Sequence, residues 1–312
     1  MTSTLKFNEP LAQHTSWHIG GQASRYFRPK TIDDLLKFLP TLPPDEPLIW
    51  LGLGSNVLIS DEGVSGTVIH TLGMGEGNPS IVSEGSQISE HAQAHEKVQG
   101  RDRETESVIV RAEAGLPCAK LAKFCVKHGL QGGEFFAGIP GTVGGALAMN
   151  AGAFGGETWT VVEKVEVVNR KGQRILRSPK EYKIGYRTVE GPLDEWFIVG
   201  YFRFNRGDAG KASEHIKQLL RRRNETQPIG VFSCGSVFTN PQNDHAGRLI
   251  ESLNLKGYRI GGAEISPKHA NFIINHGDAT AKDVLNLIQF VSEKVWEVHG
   301  VRLKTEVRLL GF

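Results

Sequence analysis

Gly138-Ile-Pro-Gly-Thr-Val-Gly-Gly-Ala-Leu-Ala-Met-Asn-Ala-Gly-Ala-Phe-Gly-Gly156 places seven glycines within nineteen residues. Ile139, Val143, Leu147 and Met149 are interleaved with them and anchor the stretch to a core, so it is not a low-complexity linker. Glycine lets a backbone take positive φ and approach a ligand closely. A concave row of N–H groups binds an anion without a charged side chain. The stretch therefore predicts a backbone cradle for a phosphate-bearing cofactor, although tight turns and close packing also call for glycine. Neither a GxxxxGK[ST] loop nor a GxGxxG turn is present, so a dinucleotide would bind by another fold. A second glycine loop interrupts the apolar run Leu48–Ile59 at Gly52, Gly54, Ser55 and Asn56, and the last two can donate to phosphate oxygens. Gly20 and Gly21 form a third. Three such loops separated by strands imply one extended ligand.

The chain has 312 residues, enough for two or three domains. A net charge of +2 excludes a general electrostatic attraction to nucleic acid or membrane. No apolar stretch approaches the ~20 residues of a spanning helix. Cys118, Cys125 and Cys234 fit neither an even disulfide framework nor a CxxC metal site, so no metal is expected. Reduced thiols and an N-terminus without an apolar signal core lead to the expectation of a cytoplasmic protein with no obligate protein partner.

Helix and strand signals alternate, giving an α+β class. Thr31 with Asp34, and Thr280 with Asp283, read as capped helix starts. Pro117 to Gly129 reads as a helix that buries Cys118, Leu121 and Cys125 on one face. Strands are expected at 48–59, from Val108, at Val161–Val168 and at Trp196–Phe204. Residues 76–107 are polar and acidic, and are expected to form a disordered surface insertion. His91 and His95 within it read as a solvated pair. Arg221, Arg222 and Arg223 end a helix, where cations complement the dipole.

The motifs Ile19-Gly-Gly, Gly52-Leu-Gly-Ser-Asn56, Ala137-Gly-Ile-Pro-Gly-Thr-Val-Gly-Gly-Ala146 and Asn150-Ala-Gly-Ala stand in the order found in one family. Gly185-Tyr186-Arg187, Gly235-Ser-Val-Phe-Thr-Asn-Pro241 and Leu303-Lys-Thr-Glu306-Val-Arg308 follow. Over nearly its whole length the chain resembles the UDP-N-acetylenolpyruvoylglucosamine reductases, also called UDP-N-acetylmuramate dehydrogenases. The resemblance implies a bipartite FAD-binding domain of the vanillyl-alcohol-oxidase (PCMH) type and a C-terminal α+β substrate-binding domain. The implied division is 1–71, completed by the strand 301–312, then 72–207, then 208–300. It also implies noncovalent FAD, NADPH as hydride donor and a sugar-nucleotide substrate bearing an enolpyruvyl ether. The cofactor would be held in the first loop by Gly52, Gly54, Ser55 and Asn56. In the second loop it would be held by Gly138, Gly141, Thr142, Gly144, Gly145, Asn150 and Gly152.

A vinyl ether accepts hydride only when its carboxylate can hold the developing charge, which calls for cationic donors. Arg187 suits that task because its planar fork pairs with a carboxylate. Ser236 matches the family's proton-donating serine, and Glu306 is the third expected catalytic residue. On an extended strand from 301 to 309, Lys304 and Arg308 would flank Glu306 and favour its ionised form. Tyr186, Asn240 and His269 are expected at the substrate, His269 with a buried structural role as its equal alternative. One of the three arginines at 221–223 would meet the substrate diphosphate. Thr239 stands where many relatives have lysine, and Cys234 reads as a turn neighbour, not a nucleophile. Two other functions stay open: a flavin oxidase of the same fold, and a nonenzymatic nucleotide-sugar binder.

Overall fold

The computed structural model describes residues 3–75, 79–84 and 107–312. Strands Thr4–Pro10, Gln22–Arg28, Val64–His70 and Leu48–Leu51 form a sheet in that order, the first pair antiparallel and the others parallel. Side chains alternate across a strand, so Tyr26 and Val68 enter one core while Phe27 and Ile69 enter another on the opposite face. That second core also takes Leu35 and Leu39, contributed by and beside α1 (Ile32–Phe38), which carries the expected Thr31–Asp34 capping box. Ala114, Val168, Ile198 and Val199 complete it from the next sheet, fusing the two halves of the N-terminal region.

The second sheet is antiparallel, with the order Arg174–Arg177, Val162–Asn169, Glu195–Arg206, Ser107–Glu113, Ser80–Glu84. Helix α2 (Cys118–Lys127) buries Cys118, Leu121 and Cys125 as its spacing predicts, and α3 (Val143–Ala148) buries Val143, Ala146 and Leu147 beside it. Helix α4 (Ala209–Thr226), capped by Asp208, packs on α2 and on the 3-10 turn Glu134–Gly138. The C-terminal unit sets α5 (Ala246–Ser252) and α6 (Ala281–His299) against the short sheet Arg259–Ile260, Ala263–Ile265, Ile273–Asn275. It is keyed to the N-terminal region. Trp17 Nε1 donates to Ile273 O, Asn275 Nδ2 donates to Trp17 O, and Asp61 accepts from Ala281 and Lys282 N–H at the start of α6.

Two expectations need correction. Within the stretch expected as a loop, Ser80–Glu84 pairs with Val108–Arg111 as an edge strand. An edge strand has to bury little, and Ile81 alone of this pair packs on the core while Val82 stays exposed. The remaining stretch, including His91 and His95, lies outside the described residues. At the C-terminus only Arg308–Leu310 forms a ladder, parallel to Val57–Ile59, because the backbone upstream bonds to the 237–239 segment instead.

A buried polar chain backs the Gly52–Gly54 loop. Tyr26 Oη bonds His70 Nδ1, His14 stacks on Tyr26 at 4.8 Å, and His14 Nε2 meets Glu9 at 2.9 Å. His70 Nε2 is buried without a partner. Burial, then the nearby His14 and Arg28, pull the His70 pKa from its usual 6.5 down to about 4. The unfolded chain therefore binds the proton first. Stability is full above pH 6.5 and falls as the pH drops towards 4. From pH 7 to pH 5 the loss due to His70 is about 2 kcal/mol. Urea melts of His70→Gln at the two pH values should show a smaller drop than the parent, and an equal drop would remove His70 as the source.

Candidate active site

The Gly52–Gly54 loop packs tightly between the Thr142 side chain of the glycine loop from Gly138 and the His14 backbone. A Cβ on Gly52 would lie 2.5 Å from Thr142 Oγ1, and one on Gly54, whose φ is +69°, would collide with the His14 carbonyl. Only glycine permits this stacking. Between the loops and the C-terminal unit lies a cavity of ≈ 560 Å3. Gly52, Gly54, Ser55, Asn56, Gly138, Gly141, Thr142, Gly145 and Gly152, all expected at the cofactor, line it. Gly141 and Gly145 leave it open, since a Cβ on either meets nothing nearer than 3.7 Å.

Two expected cradle residues lie outside this lining. Gly144 packs on Ala114, whose Cβ would be 2.8 Å away, and its N–H bonds Ala114 O. Asn150 is buried, donating to Glu157 and Gly185 O and accepting from Trp159 N–H. Its role is to fix the neighbouring hairpin.

A second cavity, of ≈ 460 Å3, shares Trp50, Leu51, Gly52, Gly145 and Ala148 with the first. One long ligand can pass between them. Trp50 Nε1 and Tyr182 Oη are buried there without partners, and Trp50 stacks on Trp196 at 5.1 Å. Burial pushes the Tyr182 hydroxyl up to about 12, keeping it a neutral donor.

Arg187 sits in the two-residue turn joining Lys183–Gly185 to Thr188–Glu190, at a φ of +56°. A non-glycine residue in that region costs about 1 to 3 kcal/mol, a strain typical of functional positions. Arg187 Nη2 donates to Gly152 O at 3.1 Å, and its guanidinium lies 5.6 Å from the centre of the Tyr186 ring. Arg187 Nε is 3.2 Å from Glu306 Oε1 but off the hydrogen-bond line, so this buried N–H is still unpartnered. Burial raises the Glu306 pKa against the opposing pull of Arg187. The expected flanking by Lys304 and Arg308 is thus overturned: Glu306 lies off the strand, and desolvation outweighs the one cation beside it.

Ser236 lines the same cavity, after Gly235 at a φ of +74°. Cys234 is buried, with Sγ 3.5 Å from both Gly54 O and Val57 O, and burial pushes its thiol up to about 12. Such a thiol is inert. Of the three arginines only Arg223 faces the cavity, with its Nε on Gln227 Oε1 at 3.2 Å, while Arg221 and Arg222 are exposed. Helical rotation decides between them, and the run of arginines by itself could not. Trp50, Met149, Phe154 and Phe272 also line the cavity and carried no signal apart from neighbouring motifs.

The remaining substrate expectations part company. Tyr186 borders the cavity. Asn240 lies outside its lining, accepting from Ala246 N–H at the start of α5, and Thr239 Oγ1 donates to Lys304 O. His269 is also outside, with Nδ1 accepting from Asn271 N–H and its ring edge-on to Phe272. These contacts, at a half-buried position, support its structural alternative. Asn56 spends its amide on Glu306 O at 3.1 Å.

Residues 23–176 match the model of an FAD binding domain, and 227–310 match that of the C-terminal domain of UDP-N-acetylenolpyruvoylglucosamine reductase. The chain is 55% identical to the UDP-N-acetylenolpyruvoylglucosamine reductase of Coxiella burnetii, over 97% of this chain and 95% of that protein. It is 50% identical to the reductase of that name from Methylococcus capsulatus, over 97% and 92%. The chain belongs to the UDP-N-acetylenolpyruvoylglucosamine reductase family. The crystal structure of the Thermus caldophilus reductase superposes with a TM-score of 0.77 at 30% identity, covering 99% of both chains. The α+β class, with an FAD-binding domain followed by the family's C-terminal domain, is therefore as expected. Among the described residues no helix is long and apolar enough to cross a membrane.

The cavities fit FAD. The open backbone at Gly141 and Gly145 would receive its diphosphate, and the unpartnered Trp50 Nε1 and Tyr182 Oη would meet a polar heteroaromatic end. A methyl at Gly145 clashes with nothing in the protein but enters the cavity. Gly145→Ala should leave the apoprotein as stable or more stable, by up to about 1 kcal/mol of helix propensity, while weakening FAD binding. Gly144→Ala should instead lower the melting temperature. Flavin titration and thermal melts of both apoproteins check the contrast, and unchanged FAD affinity in Gly145→Ala would remove the cradle from this loop.

Proposed function

We propose that this chain reduces the enolpyruvyl ether of UDP-N-acetylglucosamine to UDP-N-acetylmuramate, a precursor of peptidoglycan. NADPH is the electron source and FAD is the bound cofactor. The observation that supports the assignment of residues is the convergence of Arg187, Glu306 and Ser236 on the cavity that the two glycine loops enclose. An oxidase of the same fold has no need of a carboxylate-holding arginine facing a proton-donating serine. A nucleotide-sugar binder has no need of the FAD-binding domain.

Bound FAD, reduced by NADPH, supplies the hydride. Arg187 holds the substrate carboxylate, so that charge arriving at the adjacent carbon spreads onto oxygen. Its unpartnered Nε–H is the donor left for that purpose. Ser236 then gives its hydroxyl proton to the carbon bearing the ether oxygen, from one face, setting a single stereocentre. Glu306, raised by burial, carries a proton more readily than a surface glutamate and can restore the one Ser236 gives up. The sum is one hydride and one proton added across the double bond. Arg223 is the arginine we assign to the sugar-nucleotide diphosphate. Such a substrate and NADPH support a cytoplasmic reaction.

Substrate-dependent anaerobic oxidation of NADPH, with flavin released on denaturation, tests the activity as a whole. The half-reactions test the residues. Losing a positioned acid costs about 10² to 10⁴, so Ser236→Ala should leave flavin reduction by NADPH near normal and slow its reoxidation by substrate to that extent. Stopped flow at the flavin absorbance reads both. Normal reoxidation would strip Ser236 of its role. Arg187→Lys keeps the charge but loses the fork, and should also slow the substrate half-reaction selectively.

A further inference from the structure

We infer that Asn271 is a positioning residue that sets the Ser236 hydroxyl, although it does not line the cavity. The inference rests on Ser236 as the proton donor. Asn271 is only 4% exposed, and three of its groups grip the two residues after Ser236. Its Oδ1 accepts from Phe238 N–H at 3.0 Å and its Nδ2 donates to Phe238 O at 2.8 Å. Its own backbone carbonyl accepts from Val237 N–H at 2.9 Å. One side-chain amide thus supplies the paired bonds that a neighbouring strand would make.

The other edge of the segment is held by Glu306 N–H on Val237 O at 2.8 Å and by Thr239 N–H on Lys304 O at 2.9 Å. Upstream of Ser236 the nearest anchor is the buried Cys234, with Sγ 3.5 Å from Gly54 O and Val57 O, and Gly235 separates it from the serine. A Cβ built on Gly235, at a φ of +74°, meets nothing within 4 Å. Gly235 is the flexible link before Ser236, so the orientation of the serine leans on the clamp behind it, which a neutral amide satisfies. It must present an acceptor to an N–H and a donor to a C=O at once, a pair that neither carboxylate nor aliphatic can offer. Both backbone groups are buried, so water cannot substitute.

A shift of ~1 Å in a reacting group costs about 10² in rate. With its carboxyl ionised, at the high end of the working pH range, Asn271→Asp keeps the size and the acceptor but loses the donor, and Asn271→Ala loses both. In holoenzyme with full flavin absorbance, each should slow substrate-driven reoxidation by about 10- to 10²-fold. Flavin reduction by NADPH should stay within about twofold of the parent, a split that general loosening would not produce. The aspartate variant stands in if the alanine variant does not fold. The deciding comparison is the Ser236→Ala background. A residue that acts only through Ser236 has little left to disturb there, so adding Asn271→Asp should slow reoxidation further by less than about threefold. The same slowing in both backgrounds, or equal slowing of both half-reactions, would overturn the inference. Normal reoxidation in Ser236→Ala alone would instead remove the proton-donor reading itself, which makes the two failures distinguishable.

Discussion

The parallel pairing of Arg308–Leu310 with Val57–Ile59 joins the two ends of the chain, and the active cavity depends on that closure. A parallel strand cannot arrive by a hairpin, so a long crossover brings it back beside Val57–Ile59. Once it has, Arg308 N–H bonds Asn56 O and Asn56 Nδ2 bonds Glu306 O. The Gly52–Asn56 motif is thereby tied to the backbone of Glu306 and Arg308. Val237 O accepts from Glu306 N–H in turn, which draws in the Ser236 turn. One ladder thus registers three segments from distant parts of the sequence.

Electrostatics in the cavity follow from how that closure excludes water. Glu306 and Arg187 are an ion pair in distance but not in hydrogen-bond alignment, and burial raises the carboxyl while the guanidinium opposes it. A perfectly mated pair would be satisfied and chemically idle. The misalignment leaves Arg187 Nε with a donor to give, at a residue whose backbone is already strained. That free donor is what the proposed hold on a substrate carboxylate would use.

Secondary structure was legible wherever a local rule sufficed. The capping boxes at Thr31 and Thr280 start helices, and the spacing of Cys118, Leu121 and Cys125 puts all three in the core. The edge strand Ser80–Glu84 was missed because an edge needs only one apolar contact, too few for a periodic signal. The regular strand expected from 301 to 309 failed for the opposite reason. Its alternation is real, yet its hydrogen bonds go to the 237–239 segment, and partners are not written in a pattern of side chains.

The sequence by itself determined the family and the class, since the motifs and their order are written along the chain, and the resemblance pointed to the arginine, serine and glutamate. Tertiary structure alone decided which of these residues share a cavity. Gly144 lines only the second cavity and packs on Ala114, while Asn150, Asn240 and His269 stand in the same motifs as cavity residues yet spend polar atoms on the scaffold. Arg223 was indistinguishable from Arg221 and Arg222 until the rotation of α4 aimed it inward. The sign of the Glu306 shift belongs to the same category. Charges along the chain suggested an ionised carboxylate, but a pKa depends on desolvation, and burial is a property of the assembled fold.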